Sequence, residues 1–238
     1  MKKILWAVPV CLVIGMSGTV FGQAAAKDIH DEVEQTTKAA QVLREIMSVP
    51  DKAIPKAILD NADCVAVFPS VIKAAFGIGG RGGRGVAVCR GPNGWSAPAY
   101  LNLGGGSFGL QIGVESTDYV MLFMTPESAR SLLNNNIKLG AGVSVAAGPV
   151  GREAGAATDL ALNAQILSYS RSKGLFAGAA LEGAVIETAN DDMEDVYGPN
   201  VTAREVLFGG VKPPAEVTAF AKTLETYSPA MASTSGTK

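Results

Sequence analysis

The chain has 238 residues, a formal net charge of −2 and a single histidine. The mildly acidic balance gives no general attraction to nucleic acid, and one histidine argues against zinc sites and histidine-based hydrolases. Glycine is abundant at 28 residues while aromatics make up 6%, a composition suited to close backbone packing and tight turns.

Lys2 and Lys3 precede an uncharged apolar run from Ile4 to Val20. Gly22-Gln23-Ala24 or Ala24-Ala25-Ala26 then supplies a small-x-small cleavage site. This is the layout of a secretory signal peptide over residues 1–24. The run is about 17 residues long and is broken by Pro9, Gly15 and Gly18, which is short for a retained anchor. The expectation is an exported protein, periplasmic or secreted, free or resting on the envelope membrane. A mature chain of about 214 residues suffices for one core, and residues 27–227 read as a single domain.

Ile29, Val33, Thr36, Ala40, Leu43 and Met47 recur at helical spacing, so 29–47 is read as an amphipathic helix ended by Pro50. Pro55 opens a short second helix through Ile58. Cys64 to Phe68 reads as a strand stopped by Pro69, and Val86 to Arg90 as another. Gly91-Pro92-Asn93-Gly94 is a turn leading into a strand from Trp95 to Leu103. Further strands are expected at 108–115, 119–124, 140–147, 164–170 and 176–187, with a short helix at 127–133. Thr202 to Phe208 and Ala215 to Tyr227 read as helices, and 228–238 as a disordered tail. Short strands in the middle with helices at both ends indicate an α+β fold. The glycines suit a strongly curved antiparallel sheet or barrel-like β core with N- and C-terminal helices packed on it.

Catalytic patterns fail on context. Gly77 to Gly82 and Gly104 to Gly109 both satisfy GxGxxG, but each runs into a strand where a nucleotide site needs a helix. Gly105-Gly106-Ser107-Phe108-Gly109 satisfies GxSxG, yet His30 lies upstream, where a nucleophile elbow needs a downstream base. The acidic run Asp191, Asp192, Glu194 and Asp195 lacks calcium-loop spacing and reads as a solvated helix start. No enzyme activity, metal or cofactor is therefore expected. Cys64 and Cys89 are either one disulfide, as an oxidising compartment allows, or two buried thiols.

The segment from Ser70 to Arg90 stands out. Val71, Ile72, Ala74, Ala75, Phe76 and Ile78 are apolar, and Lys73, Arg81, Arg84 and Arg90 add four positive charges with no acid between them. Arginine forks and glycine-rich backbone suit phosphate, and apolar neighbours suit an acyl tail. Lys73, Phe76, Ile78, Arg81 and Arg84 are therefore candidate lipid contacts. The alternative is a hairpin with merely solvated arginines.

A longer series carries a resemblance. It runs from Lys38-Ala39-Ala40-Gln41-Val42-Leu43-Arg44-Glu45 through Val71-Ile72-Lys73-Ala74-Ala75-Phe76, Arg81-Gly82-Gly83-Arg84-Gly85 and Trp95-Ser96-Ala97-Pro98. It continues with Gly148-Pro149-Val150-Gly151-Arg152, Ser172-Lys173-Gly174-Leu175-Phe176-Ala177-Gly178 and Leu181-Glu182-Gly183. In order and spacing, from Thr37 to Tyr197, this resembles the SYLF domain, the lipid-binding or actin-binding domain of endocytic adaptors. The resemblance implies a non-enzymatic module for anionic phospholipids or phosphoinositides, with Lys38 and Arg44 matching the family's helix charges. Some members bind actin filaments, so a protein-interaction module is the second expectation. The export signal makes the chain look like an exported bacterial branch, which would meet neither cytosolic actin nor cytosolic phosphoinositides. Affinity for anionic membrane lipid is the property carried over. The helix is also more acidic than such a ligand favours, with Asp31, Glu32, Glu34 and Glu45 among its basic residues.

Overall fold

The computed structural model describes residues 28–49, 53–92, 94–141, 143–151, 164–179, 181 and 183–229, leaving aside the side chains at 75–78 and 107–112. The expected signal peptide and the tail beyond Pro229 lie outside the described residues.

Two long strands dominate. β1 runs Cys64–Gly91 and β3 runs Ala99–Phe123, paired antiparallel from Cys64↔Phe123 to Ala87↔Ala99. The short β2 (Gly94–Trp95) lies in the connection between them. A straight strand of β1's length would span roughly 90 Å. Instead its two ends meet: Cys64 and Cys89 are disulfide-bonded, with Cα atoms 3.9 Å apart. The β1–β3 ribbon is therefore bent double. Glycine permits the close approach of its two arms. A Cβ at Gly85 would lie 2.7 Å from Cγ of the Phe68 ring, and one at Gly83 would lie 2.8 Å from Cγ2 of Val71.

The sequence expectation of separate short strands is corrected here. Pro69 does not end a strand. It sits at a register shift between Phe68 and Val71, where the ladder is interrupted and a missing N–H costs little. A second shift, between Phe76 and Gly77, marks the bend.

Each arm of the ribbon recruits its own strands. Near one end, Leu101 to Gly104 of β3 pair with β8 (Val185–Thr188), which pairs in turn with β4 (Asn136–Lys138). Near the other, Asp118 to Phe123 pair with β6 (Ile166–Ser172). β6 also carries β7 (Leu175–Gly178) antiparallel and β5 (Val145–Ala147) parallel. The region expected as one strand at 176–187 is thus two strands, and the sheet is mixed rather than wholly antiparallel. The α+β class and strong curvature hold.

Helix α1 (His30–Met47) buries Thr36, Ala39, Ala40, Val42, Leu43 and Ile46. It packs on β1 and on the last helix, α6 (Ala219–Tyr227). Among the described residues, four shorter α-helices lie between them: α2 (Lys56–Asp60), α3 (Pro126–Ser131), α4 (Asn190–Tyr197) and α5 (Ala203–Phe208). The ordered fold continues past Tyr227. Ser228 is fully buried and takes bonds from Arg90 and from Trp95, whose Nε1 donates to the Ser228 carbonyl at 3.0 Å. Residues 228 and 229 therefore belong to the domain and not to a free tail.

Candidate functional site

The candidate cations of the sequence separate into three environments. Arg84 is pinned by acids from two helices. Its guanidinium lies 2.7 Å from Asp192 of α4 and 3.4 Å from both Asp31 and Glu32 of α1. Gln35 of α1 donates to the Arg84 carbonyl at 2.6 Å. The bond to Asp192 holds the guanidinium pKa up, outweighing the effect of burial. Glu32 is almost fully buried, and desolvation pushes its carboxyl up. Its own backbone N–H opposes the shift, nearby Asp192 adds to it, and Arg84 opposes it. Arg84 is thus a tie between α1, the sheet and α4. Asp192, read as part of a solvated helix start, is turned inward to meet it. Arg44, the second helix charge, donates to Thr223 Oγ1 at 3.0 Å and links α1 to α6.

Lys73 and Arg81 occupy the second environment, the concave face near the bend. Lys73 pairs in register with Glu115 and Arg81 with Gly105. Both follow the alternation that turns Val71 towards Gly83. Burial pushes the Tyr119 hydroxyl pKa up, and the charge of Arg81 opposes this shift. Arg81 Nε is buried with no partner among the described residues. Phe76 and Ile78 lie in β1 at the bend; their side chains are outside the described ones.

The third environment is a cleft of about 400 Å³. Lys38, Gln41 and Val42 of α1 form one wall. Pro69 and Ser70 at the bulge, Ser116 and Asp118 of β3, and Arg171, Lys173 and Gly174 at the β6–β7 turn form the rest. Ser70 and Lys173 adopt positive φ, 53° and 49°, which sharpens the bulge and the turn that bring them here. Asp118 accepts three bonds: Oδ1 takes the Ser70 N–H at 2.8 Å, and Oδ2 takes Arg171 Nε and Nη2 at 2.9 and 2.7 Å. Burial pushes the Asp118 carboxyl up, with the Ser70 N–H opposing. Arg171 also pairs with Glu45. Lys38 meets Glu34 one turn away at 2.7 Å, an exposed pair. Lys173 and the hydroxyls of Ser70 and Ser116 make no bond among the described residues.

An apolar surface adjoins this cleft. Among the described residues the exposed large hydrophobics are Val49, Ile72, Val114, Leu175 and Phe208. Three of them are neighbours of the cleft. Ile72 pairs directly with Ser116, and Val114, 74% exposed, is two residues along on the same face. Leu175, 68% exposed, follows the Lys173–Gly174 turn. Of these residues, sequence reasoning named only Lys38 as a candidate contact; Ile72 entered only as part of an apolar stretch, and Ser70, Ser116, Arg171, Lys173, Val114 and Leu175 were not candidates. They lie in separate strands, and only the Lys-Gly pair in a hairpin turn offered a local signal.

Metal chemistry finds little support. His30, Asp31 and Glu34 bring ligand atoms within 4.8 Å of one another, but all three are exposed. Asp31 is already turned to Arg84 and Glu34 to Lys38.

Comparison with known proteins identifies relatives by sequence. A family profile described as "Las17-binding protein actin regulator" (Ysc84) matches residues 104–227. "LAS seventeen-binding protein 3" of Saccharomyces cerevisiae is 37% identical over 200 residues, 80% of this chain and 43% of that protein. "Protein YSC84" of the same yeast is 40% identical over 191 residues, 76% of this chain and 41% of its own length. The human "SH3 domain-containing YSC84-like protein 1" is 34% identical over 200 residues, 81% of this chain and 58% of its own. The chain thus spans about half the length of the curated relatives it matches. With the profile covering more than half of its residues, the chain belongs to the Ysc84 (SYLF) family.

Proposed function

We propose that this chain is a non-enzymatic, exported lipid-binding module that rests on the anionic surface of an envelope membrane. The observation that carries the reading is the juxtaposition of exposed Ile72, Val114 and Leu175 with a cleft holding Lys38 and Lys173. Apolar side chains already in water gain on entering the acyl boundary, about 1–2 kcal/mol each when partly exposed beforehand. Each lysine near an anionic surface adds about 1 kcal/mol, and this part is screened by salt. Phe76 and Ile78, at the bend, would extend the inserted surface, while Lys73 and Arg81, on the concave face, would add only a longer-range positive field.

The acidity of α1, which counted against a membrane contact, bears less on this reading. Glu32 and Asp31 face Arg84, and Glu45 faces Arg171. The disulfide between Cys64 and Cys89 supports an oxidising compartment, as export through a signal peptide at residues 1–24 would provide.

Co-sedimentation with vesicles tests the reading. The protein should pellet with phosphatidylglycerol vesicles at low salt and stay in solution with phosphatidylcholine vesicles. Val114→Asp with Leu175→Asp should abolish pelleting. Absence of pelleting by the unaltered protein would end the proposal.

The second reading is a protein-interaction module. It is favoured by the name of one yeast relative, "LAS seventeen-binding protein 3", and by the description of the matching family profile. A specific protein captured from an envelope extract, with no response to vesicles, would favour it.

A further inference from the structure

We propose that the Cys64–Cys89 pair is a redox switch for the C-terminal helix: the disulfide keeps α6 docked, and its reduction releases α6 while the sheet stays folded. This goes beyond the membrane reading and does not depend on it.

The cysteines stand at the root of a clasp that closes on residues 227–229. Arg90 directly follows Cys89, while Leu59, Asp60 and Ala62 lie just before Cys64. The Arg90 backbone N–H donates to the Asp63 carbonyl at 2.7 Å. Its guanidinium donates to the Ala62 and Leu59 carbonyls at 3.0 and 3.1 Å, tying together the two ends of β1. The same guanidinium reaches the Pro229 carbonyl at 3.3 Å and Ser228 Oγ. From the other side, Asp60 accepts Ser228 Oγ at 2.6 Å, and Lys56 Nζ donates to the Tyr227 carbonyl at 3.2 Å. Ser96 brackets Cys89: its hydroxyl accepts the Cys89 N–H at 3.0 Å, and its own N–H donates to the Cys89 carbonyl at 2.8 Å. That fixes the adjacent Trp95, whose Nε1 donates to the Ser228 carbonyl. Lys56, Asp60, Arg90 and Trp95, which hold residues 227–229, thus come from the two segments that the disulfide joins.

The last helix needs this hold. α6 has 9 residues, too few to persist alone in water, and it folds by packing on α1. Two thiols need more room than one disulfide, and both cysteines are fully buried. Reduction therefore parts the segments on which the clasp is built. The neighbouring core resists: Val65 to Phe68, Val86 to Val88 and Met121 to Phe123 are buried and paired in the β1–β3 ribbon or beside it. The clasp is the part that yields. Lys56 and Asp60 are exposed, Arg90 and Trp95 are half-buried, and local opening starts where little apolar surface is lost.

The chemistry is thiol–disulfide exchange with a dithiol. One dithiol sulfur, as thiolate, attacks one cysteine sulfur; the other cysteine leaves as a thiolate and takes up a proton. The second dithiol sulfur then attacks the mixed disulfide, and the first cysteine leaves and is protonated in turn. Two electrons have passed from the dithiol, which ends as a disulfide. The reverse exchange, with a disulfide as oxidant, closes the clasp. On the export reading, α6 would dock only after the chain has left the reducing cytosol. Docking and oxidation favour one another by the same factor, so a weakened clasp makes the disulfide easier to reduce.

Hydrogen exchange of the full chain, oxidised and after reduction with excess dithiothreitol, tests the switch. Amides of residues 219–229 should exchange at least about tenfold faster in the reduced protein, while those of β6 and of Met121 to Phe123 keep their protection. Cys64→Ala with Cys89→Ala should show the fast exchange of α6 with and without dithiothreitol. Ser228→Ala, which removes the hydroxyl shared by Arg90 and Asp60, supplies a second readout. Its disulfide should be half reduced at a ratio of reduced to oxidised dithiothreitol at least about threefold lower than in the unaltered protein. No change on reduction, an equal loss of protection along the whole chain, or an unaltered half-reduction point in Ser228→Ala would each overturn the proposal. Should the alanine pair fail to fold, the two redox states of the unaltered protein decide the matter.

Discussion

The two ends of the β1–β3 ribbon and its bend are built from the same kind of sequence, short apolar runs separated by glycine, and differ in almost everything else. The ends are sealed. Cys64 is bonded to Cys89, Phe68 lies against Gly85, and Arg90 reaches the Leu59 and Ala62 carbonyls and Ser228. Towards the bend the seal gives way to two like charges on the concave face, a buried guanidinium nitrogen with no partner among the described residues, and exposed Ile72 and Val114 on the outer face. One region spends its residues on closure and the other on presenting chemistry to the outside. That contrast is what makes the outer face near the bend, and not the cysteines or the arginines of the closed end, the place to look for a ligand.

The contrast can be broken at the sealed end with the largest effect. Replacing Cys64 and Cys89 by serine removes a cross-link across 25 residues and should cost about 3 kcal/mol, read as a fall in the urea midpoint. Gly85→Ala drives a methyl into the Phe68 ring and should cost about 2–3 kcal/mol. An unaltered midpoint for either would mean that the arms are not held together as described.

Arg84→Ala is next, at about 1–2 kcal/mol at neutral pH, because Glu32 and Asp192 would then face one another without a cation. Its pH dependence has a definite sign. Burial raises the Glu32 carboxyl, so the folded chain takes up that proton at a higher pH than the unfolded chain. The stability this proton confers is fully present below the ordinary carboxyl range and is lost as pH rises through the raised value. Asp63 and Asp118, also raised by burial, act in the same direction. Melting temperature should therefore hold or rise between pH 6.5 and 4.5, and Glu32→Gln should flatten that slope. The cost of Arg84→Ala should shrink over the same interval. A steep loss of stability there would contradict the burial assigned to these carboxyls.

The smallest stability effect sharpens the comparison. Val114→Asp and Leu175→Asp, both exposed, should change the folding free energy by less than about 0.5 kcal/mol while abolishing vesicle binding.

How far this was legible in the sequence follows the same division. The amphipathic helix was plain because Thr36, Ala40 and Leu43 keep helical spacing and are buried as the spacing requires. The curvature was legible through the glycines. Strand continuity was not, because Pro69 and the glycine runs carry the local marks of strand ends, and only pairing with β3 shows the chain passing through them. Arg84 looked free because its acids lie 52, 53 and 108 residues away in the chain. The cleft was illegible for the same reason: Lys38, Ser70, Ser116 and Lys173 meet only after the ribbon has curled. Local pattern reports which face a residue takes on its own element. It does not report which distant charge that face will meet.

The clasp around Ser228 carries its own reporter. Trp95 lies under the Arg90 guanidinium, 4.3 Å from the ring centroid, with its indole N–H on the Ser228 carbonyl. The sequence has one other tryptophan, Trp6, within the proposed signal peptide. A cleaved chain would thus hold a single indole, whose emission depends on the seating of the C-terminal segment next to the closed end of the ribbon. Release of that segment should redden and brighten the fluorescence as the cation leaves and water arrives. Undocking of the last helix then becomes an optical signal requiring no label.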